Sequence, residues 1–269
     1  MPTVHHLNCA PMRPLGGSPL VAHCLLVETD DGLLLVDTGL GTEDVTNPHR
    51  LGAFFRRSMR PSLDLTLTAA HRIRALGHDP GDVRDVVVTH LDLDHAGGLS
   101  DFPEARVHVR GDEFRAATRR ATPLEAGRYL PVQWAHGPRW ILHETADADW
   151  YGFAASPVRR LPDVLLVPLP GHTRGHCGVA VRTTDGWLLH AGDAYFFHGE
   201  TDPREPRCPR MTAFHQRLVA QDHAQRAAQV ARLRKLRRTA PERVRVFSAH
   251  DTHEFADLAA SRVHASSAS

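Results

Sequence analysis

His90, Asp92, Asp94 and His95 put four metal-competent side chains within six positions, in the run Thr89-His90-Leu91-Asp92-Leu93-Asp94-His95-Ala96-Gly97-Gly98. Imidazole nitrogens and carboxylate oxygens are the ligands of divalent cations, and a loop of alternating ligands can send them to opposite sides. His90 and Asp92 would face one ion and Asp94 and His95 a second, roughly 3.5–4 Å away as in two-metal hydrolases. The run follows Asp85-Val86-Val87-Val88, whose β-branched residues read as a buried strand. It ends in Gly97-Gly98, where the chain can turn away sharply.

The run resembles the H-x-H-x-D-H signature of the metallo-β-lactamase superfamily, with one departure: Asp92 stands where most members carry histidine. The family's later stations have counterparts in the same order. Pro170-Gly171-His172-Thr173-Arg174-Gly175-His176 follows the apolar run Val164-Leu165-Leu166-Val167, and Ala191-Gly192-Asp193 follows Trp187-Leu188-Leu189. Ser248-Ala249-His250-Asp251 follows Val244-Arg245-Val246-Phe247. The earlier loop Val36-Asp37-Thr38-Gly39-Leu40-Gly41 is similar to the family's D-T-G turn, so the resemblance spans about residues 20 to 255.

What the resemblance implies is an α/β fold, a four-layer αβ/βα sandwich of the metallo-β-lactamase type, around a dinuclear centre. One ion would take His90, Asp92 and His172, the other Asp94, His95 and His250, and Asp193 would bridge them. His172 is favoured over His176 because it directly follows the strand and Pro170-Gly171, which leaves His176 to orient the loop. Asp37 is read as hydrogen-bonding backbone amides near the site, Asp251 as the acceptor that fixes His250, and His253 as a surface residue. The implied cofactors are two divalent ions: zinc, manganese or iron. Asp92 bears on the choice, since three carboxylates and a hydroxide make the centre neutral rather than +1. That weakens Lewis acidity and shifts preference from zinc toward Mn²⁺ or Fe²⁺.

Among the superfamily's branches the chain looks most like the lactonases, through its Leu35-Val36-Asp37-Thr38-Gly39 turn, its Asp94-His95-Ala96-Gly97-Gly98 finish and Gly192-Asp193-Ala194-Tyr195. This implies a metal-dependent hydrolase in which a metal-bridging hydroxide opens a lactone or cleaves a related ester, with Asp94 and Asp193 in the machinery. In quorum-signal lactonases a tyrosine three residues beyond the bridging aspartate helps at the carbonyl. Phe196 holds that position here and Tyr195 precedes it, so Tyr195 is the candidate catalytic tyrosine. Two other classes stay open: a carboxylate-rich di-iron redox or oxygen-binding protein, and a non-catalytic ligand sensor on the same fold. Bound iron with visible absorbance would favour the first, and ligand affinity that survives metal loss the second. A nuclease is disfavoured by the lack of a basic surface.

Strands must position these loops. Leu25 to Val36 reads as two strands around an Asp-Gly turn, and Gly178 to Leu189 repeats the design. Two such hairpins, each feeding an aspartate loop, suggest related β halves packed face to face with helices outside. Leu65 to Leu76 has helical spacing and stops at Gly77, and Asp112 to Ala121 is a second helix. Phe214 to Leu236 reads as the longest, with Leu218, Ala228, Val230, Leu233 and Leu236 inward and an arginine-rich, solvated last turn. Residues 121–162 read as an insertion in which Tyr129, Trp134, Trp140, Trp150, Tyr151 and Phe153 gather. They would cover an apolar substrate group, or form a satellite cluster or subunit interface.

With 269 residues and 42% hydrophobic content, the chain is expected to form one domain, 1–269, with a full core. Its 32 basic and 31 acidic residues leave a net charge of +1, which argues against nucleic acid or an anionic membrane as partner. Cys9, Cys24, Cys177 and Cys208 show no C-x-x-C spacing, as expected of a reduced, cytoplasmic protein. No signal-peptide pattern opens the chain and no apolar run approaches 18 residues. The expected partner is a small lactone or ester, with a homodimer as the candidate assembly. Of 20 histidines, His5, His6, His49, His71, His78, His108, His136, His143, His215, His223 and His264 fall outside any ligand pattern and are read as non-ligands.

Overall fold

The computed structural model describes residues 3–265, with side chains to residue 260, so the side chain of His264 lies outside the described residues. One sheet runs in the order β1 (Thr3–Asn8), β2 (His23–Thr29), β3 (Gly32–Val36), β4 (Val83–Val87), β5 (Arg106–Arg110) and β6 (Arg139–His143). The other contains β7 (Ala148–Trp150), β8 (Phe153–Val158), β9 (Leu161–Pro168), β10 (Cys177–Thr183), β11 (Gly186–His190) and β12 (Val244–Phe247), ordered from β12 back to β7. The helices are α1 (Thr42–Thr46), α2 (Ala53–Met59), α3 (Ala69–Ala75), α4 (Leu93–Ala96), α5 (Gly111–Arg119), α6 (Pro123–Arg128), α7 (Arg210–Val219), α8 (His223–Thr239) and α9 (Thr252–Ala265).

The near-continuous apolar runs arise because the central strands are buried on both faces. Leu25, Val27, Leu34 and Val36 meet Val164, Leu166, Val179 and Val181 between the sheets. The alternate residues Leu26, Leu33 and Leu35 turn outward to Ile73 and Ala117, while Leu165, Val167 and Ala180 turn to Val230, Leu233 and Leu236 of α8. Helix, sheet, sheet and helix are the four layers of the αβ/βα sandwich.

The two hairpins have matching registers, Thr29 opposite Gly32 and Thr183 opposite Gly186, and each leads to a parallel neighbour, β3 with β4 and β11 with β12. The loops after β3, β4, β9, β11 and β12 carry Asp37, His90 to His95, His172, Asp193 and His250. Related halves thus deliver aspartate and histidine loops to a common edge.

The helix expected over Phe214 to Leu236 is instead broken at Ala220-Gln221-Asp222. The Asp222 side chain caps α8 by accepting from Gln225 N, while Gln221 N and Asp222 N donate to His172 O and Gly171 O. Helix propensity yields there to docking against the His172 loop. The inward face also differs, since Leu218 is 61% exposed and Ala228 is exposed, whereas Arg226 is buried and donates to Ala194 O and Gln216 Oε1. Nor is the basic end simply solvated: Arg234 donates to Glu200 O, and Arg237 to Thr201 Oγ1, Val246 O and Glu254. Leu65–Leu67 is a 3₁₀ turn, and α3 begins after Thr68, whose hydroxyl accepts from His71 N.

Residues 121–162 are woven into both layers, supplying α6, an edge strand to the first sheet and β7 and β8 to the second. Trp134 and Trp140 pack on the outer core of the first sheet, and Trp150 and Phe153 join that of the second. Tyr129, Trp134, Trp140, Trp150 and Phe153 are therefore core anchors, while Tyr151 is 39% exposed. Cys9, Cys24 and Cys177 are buried and all four cysteines are free. Among the described residues, no helix is long and apolar enough to cross a membrane.

Candidate metal centre

The structure brings the seven expected ligands together as two groups. His90, Asp92, His172 and Asp193 offer atoms within 4.8 Å of one another, and so do Asp94, His95 and His250. Asp193 lies between them. Its Oδ2 is 3.3 Å from His172 Nε2 and 3.8 Å from His90 Nε2, while its Oδ1 is 3.2 Å from His95 Nε2 and 3.0 Å from His250 Nε2. Asp94 Oδ2 lies 3.6 Å from His250 Nε2.

The surrounding hydrogen bonds fix which nitrogen of each ring faces inward. His95 Nδ1 donates to Asp37 Oδ2 at 2.8 Å, His250 Nδ1 to Val21 O at 2.7 Å, and His90 Nδ1 to Thr89 Oγ1 at 3.0 Å. Each leaves Nε2 with a lone pair aimed at the centre, the arrangement expected of imidazole ligands. His90 Nε2, His95 Nε2, Asp92 Oδ1 and Asp193 Oδ1 are buried and have no hydrogen-bond partner. Such a set of buried, unpartnered imidazole nitrogens and carboxylate oxygens fits two divalent cations.

Asp37 accepts from Thr89 N and Thr89 Oγ1 as well as from His95, so its expected bond to a backbone amide is present together with a direct hold on a candidate ligand. It sits at φ 54°, a left-handed conformation that aspartate tolerates. His176 donates through Nδ1 to Leu169 O and accepts through Nε2 from Asp193 N at 2.9 Å, so it braces the strand end and the aspartate loop together. Gly192, at φ 52°, makes this possible, because a Cβ there would lie 2.5 Å from His176 Nε2.

Charge follows this geometry. Burial alone would raise the Asp193 carboxyl, but His250, His95, His172 and His90 around it hold it well below the usual carboxylate range. Burial likewise opposes ionisation of Asp92, and Arg128 and His90 outweigh it. His172 is depressed to about 4, first by burial and then by Arg128.

Arg128 and Glu113 are the residues that sequence reasoning missed. Arg128, at the end of α6, donates through Nη1 to Asp92 Oδ2 at 2.6 Å and to His172 Nε2 at 2.9 Å, and through Nη2 to Val219 O. Its guanidinium places a positive charge directly against Asp92 and His172. Glu113, fully buried in α5, accepts from Leu91 N, Tyr129 Oη, Thr173 Oγ1 and Gly175 N, tying the His90 loop to the His172 loop.

Two other expectations are corrected. The Tyr195 hydroxyl, fully buried, donates to Glu254 rather than reaching the ligand groups. Phe196 is the neighbour that reaches them, its ring 4.8 Å from that of His250 and 6.1 Å from that of His172. Asp251 does not hold His250, whose Nδ1 goes to Val21 O. It accepts from His198 Nδ1 and from the first amides of α9, because at a helix start those donors lie nearest. His253 is a surface residue, 64% exposed in its side chain.

Comparison with known proteins identifies the family. The profile of the Metallo-beta-lactamase superfamily matches residues 17–250. A probable metallo-hydrolase of Mycobacterium tuberculosis is 44% identical over 250 residues, covering 92% of this chain and 80% of its own length. The N-acyl homoserine lactonase AiiA of Bacillus thuringiensis subsp. kurstaki is 27% identical over 175 residues, 64% of this chain and 63% of its own. A solved N-acyl homoserine lactone hydrolase, with the product N-hexanoyl-L-homoserine at its catalytic metal centre, superposes with a TM-score of 0.71 at 21% identity, covering 93% of this chain and 94% of that one. The chain belongs to the metallo-β-lactamase superfamily.

Proposed function

We propose that this protein is a dinuclear metal-dependent hydrolase that opens a lactone or cleaves a related ester. The observation that carries the reading is the position of Asp193 between two ligand groups, with Oδ2 toward His172 and His90 and Oδ1 nearest His95 and His250, His250 Nε2 lying 3.2 Å from Oδ2 as well. In this reading His90, Asp92 and His172 would hold one ion and Asp94, His95 and His250 the other, with Asp193 placed to serve both. Two divalent ions supply an activated water at neutral pH and Lewis-acid polarisation of a carbonyl, whether they are zinc, manganese or iron.

The chain's own residues do the rest. Asp37 and Val21 O keep His95 and His250 in the tautomer that presents Nε2. His176 fixes the Asp193 backbone, and with it the carboxylate. Asp94, with its Oδ2 3.6 Å from His250 Nε2, is placed to take and return a proton at the reacting oxygens. Phe196 walls the centre with an apolar ring, which strengthens electrostatic interactions beside it. Tyr195 is assigned no step. The ring-opened product N-hexanoyl-L-homoserine held by the superposed hydrolase, and the lactonase relatives, support a small lactone as substrate.

The test is to strip the protein with a chelator, reload it separately with Zn²⁺, Mn²⁺ and Fe²⁺, and assay N-acyl homoserine lactones, simple lactones, aryl esters and phosphodiesters. Metal-dependent turnover of lactones or esters is expected. Turnover confined to phosphodiesters, or no hydrolysis with any ion, would reject the reading.

A further inference from the structure

Arg128 Nη1 lies 2.6 Å from Asp92 Oδ2 and 2.9 Å from His172 Nε2. These are the atoms that, with Asp193 Oδ2, define the first ligand group. His172 Nε2 lies 3.0 Å from Asp92 Oδ2 as well, but an arginine nitrogen can only donate, so the closer contact with Arg128 Nη1 commits the Nε2 lone pair to the guanidinium in this conformation. The same lone pair cannot serve a metal ion at the same time. The Arg128 side chain is only 8% exposed, and its Nη2 is anchored on Val219 O at the end of α7, so this is a packed position. In the second group, His95 Nε2 and His250 Nε2 face only the carboxylates of Asp94 and Asp193.

We propose that Arg128 is a resident cation that competes with the ion of the His90-Asp92-His172 group, so that the centre fills in order. The Asp94-His95-His250 group, with Asp193, fills first and tightly. The Arg128 group fills second and more weakly, when the guanidinium releases His172. Arg128 therefore sets the number of ions held at a given metal concentration. Asp92 is the counterpart of this device: a neutral histidine there would give a buried guanidinium no anion to pair with. The inference rests on the two-ion reading above.

The test titrates the chelated full-length protein with Zn²⁺ and with Mn²⁺ by calorimetry, and counts ions by elemental analysis after desalting. Wild type should keep one ion per chain through desalting and bind a second at least about tenfold more weakly. Arg128→Met should tighten the second step about tenfold or more and leave the first unchanged, with Arg128→Lys between them. Equal steps in wild type, or a second step that Arg128→Met leaves unchanged or weakens, would overturn the ordering while leaving the two-ion centre intact. No binding by either protein would overturn both. Should Arg128→Met fail to fold, Mn²⁺ paramagnetic resonance on wild type decides. The first equivalent must give an isolated-ion spectrum, and a spin-coupled pair from the first addition overturns the proposal.

Discussion

His95 and His250 each spend Nδ1 on a fixed acceptor, Asp37 Oδ2 and Val21 O, and leave Nε2 to the centre. His172, across the Asp193 carboxylate, has the opposite disposition: Nδ1 has no partner and Nε2 accepts from Arg128. The first pair is preorganised, so ion binding there costs little rearrangement. The His172 side must surrender a charge-assisted contact first. Two groups of nearly the same ligand types differ because one is braced from outside and the other is contested from inside.

The most damaging way to test this contrast is to remove the residue both groups share. Asp193→Ala should abolish measurable lactone or ester turnover, a loss of at least ~10³-fold, as several kcal/mol of transition-state stabilisation disappear. Near-normal kcat/KM would place the chemistry elsewhere. The next largest effect is on stability. Asp92→His should cost about 3 kcal/mol in denaturant unfolding by stranding the buried Arg128. The double variant with Arg128→Met should recover most of that loss, and additive losses would show that the two residues are uncoupled.

Asp37→Ala should weaken the tighter ion step most, roughly 10–100-fold in calorimetry, with a smaller loss at the weaker step, which Asp37 reaches only through Thr89 and His90. Equal weakening of both steps would dissolve the distinction between the groups. His176→Ala should be milder, about tenfold in turnover, because it holds the Asp193 backbone and no candidate ion. The smallest effect lies outside both groups. Burial raises Glu254 to about 7 despite Arg237 and the Ser248 amide beside it. Its folded value thus exceeds the ordinary value of about 4.3, so its contribution is complete below pH ~4.3 and is lost as pH rises through about 7. Thermal melts should show a shallow decline over that window, and Glu254→Gln should flatten it.

The candidate ligands are readable because strand ends concentrate them: His90 to His95 are local in sequence, and Asp193 and His250 each follow an apolar run. The paired hairpins were readable from their turns. Arg128 was not, since its partners Asp92 and His172 lie 36 and 44 residues away and nothing near it in sequence marks it as more than a helix-end arginine. Glu113 hides for the same reason, as an acidic residue in a first helical turn that reads as a solvated cap. The break before Asp222 is a tertiary effect, bought by backbone bonds to the His172 loop that no local propensity encodes. Tyr195 was misplaced because its neighbour Phe196 takes the inward position, a one-residue choice settled by how the chain leaves β11.

The most direct test of the central claim is lactone or ester turnover measured on the chelated protein as metal equivalents are added, with bound ions counted in the same samples. The account predicts negligible turnover without metal, a rise that follows the second ion, and two ions per chain at saturation. Full turnover in the chelated protein, or saturation at a single ion per chain, would contradict it.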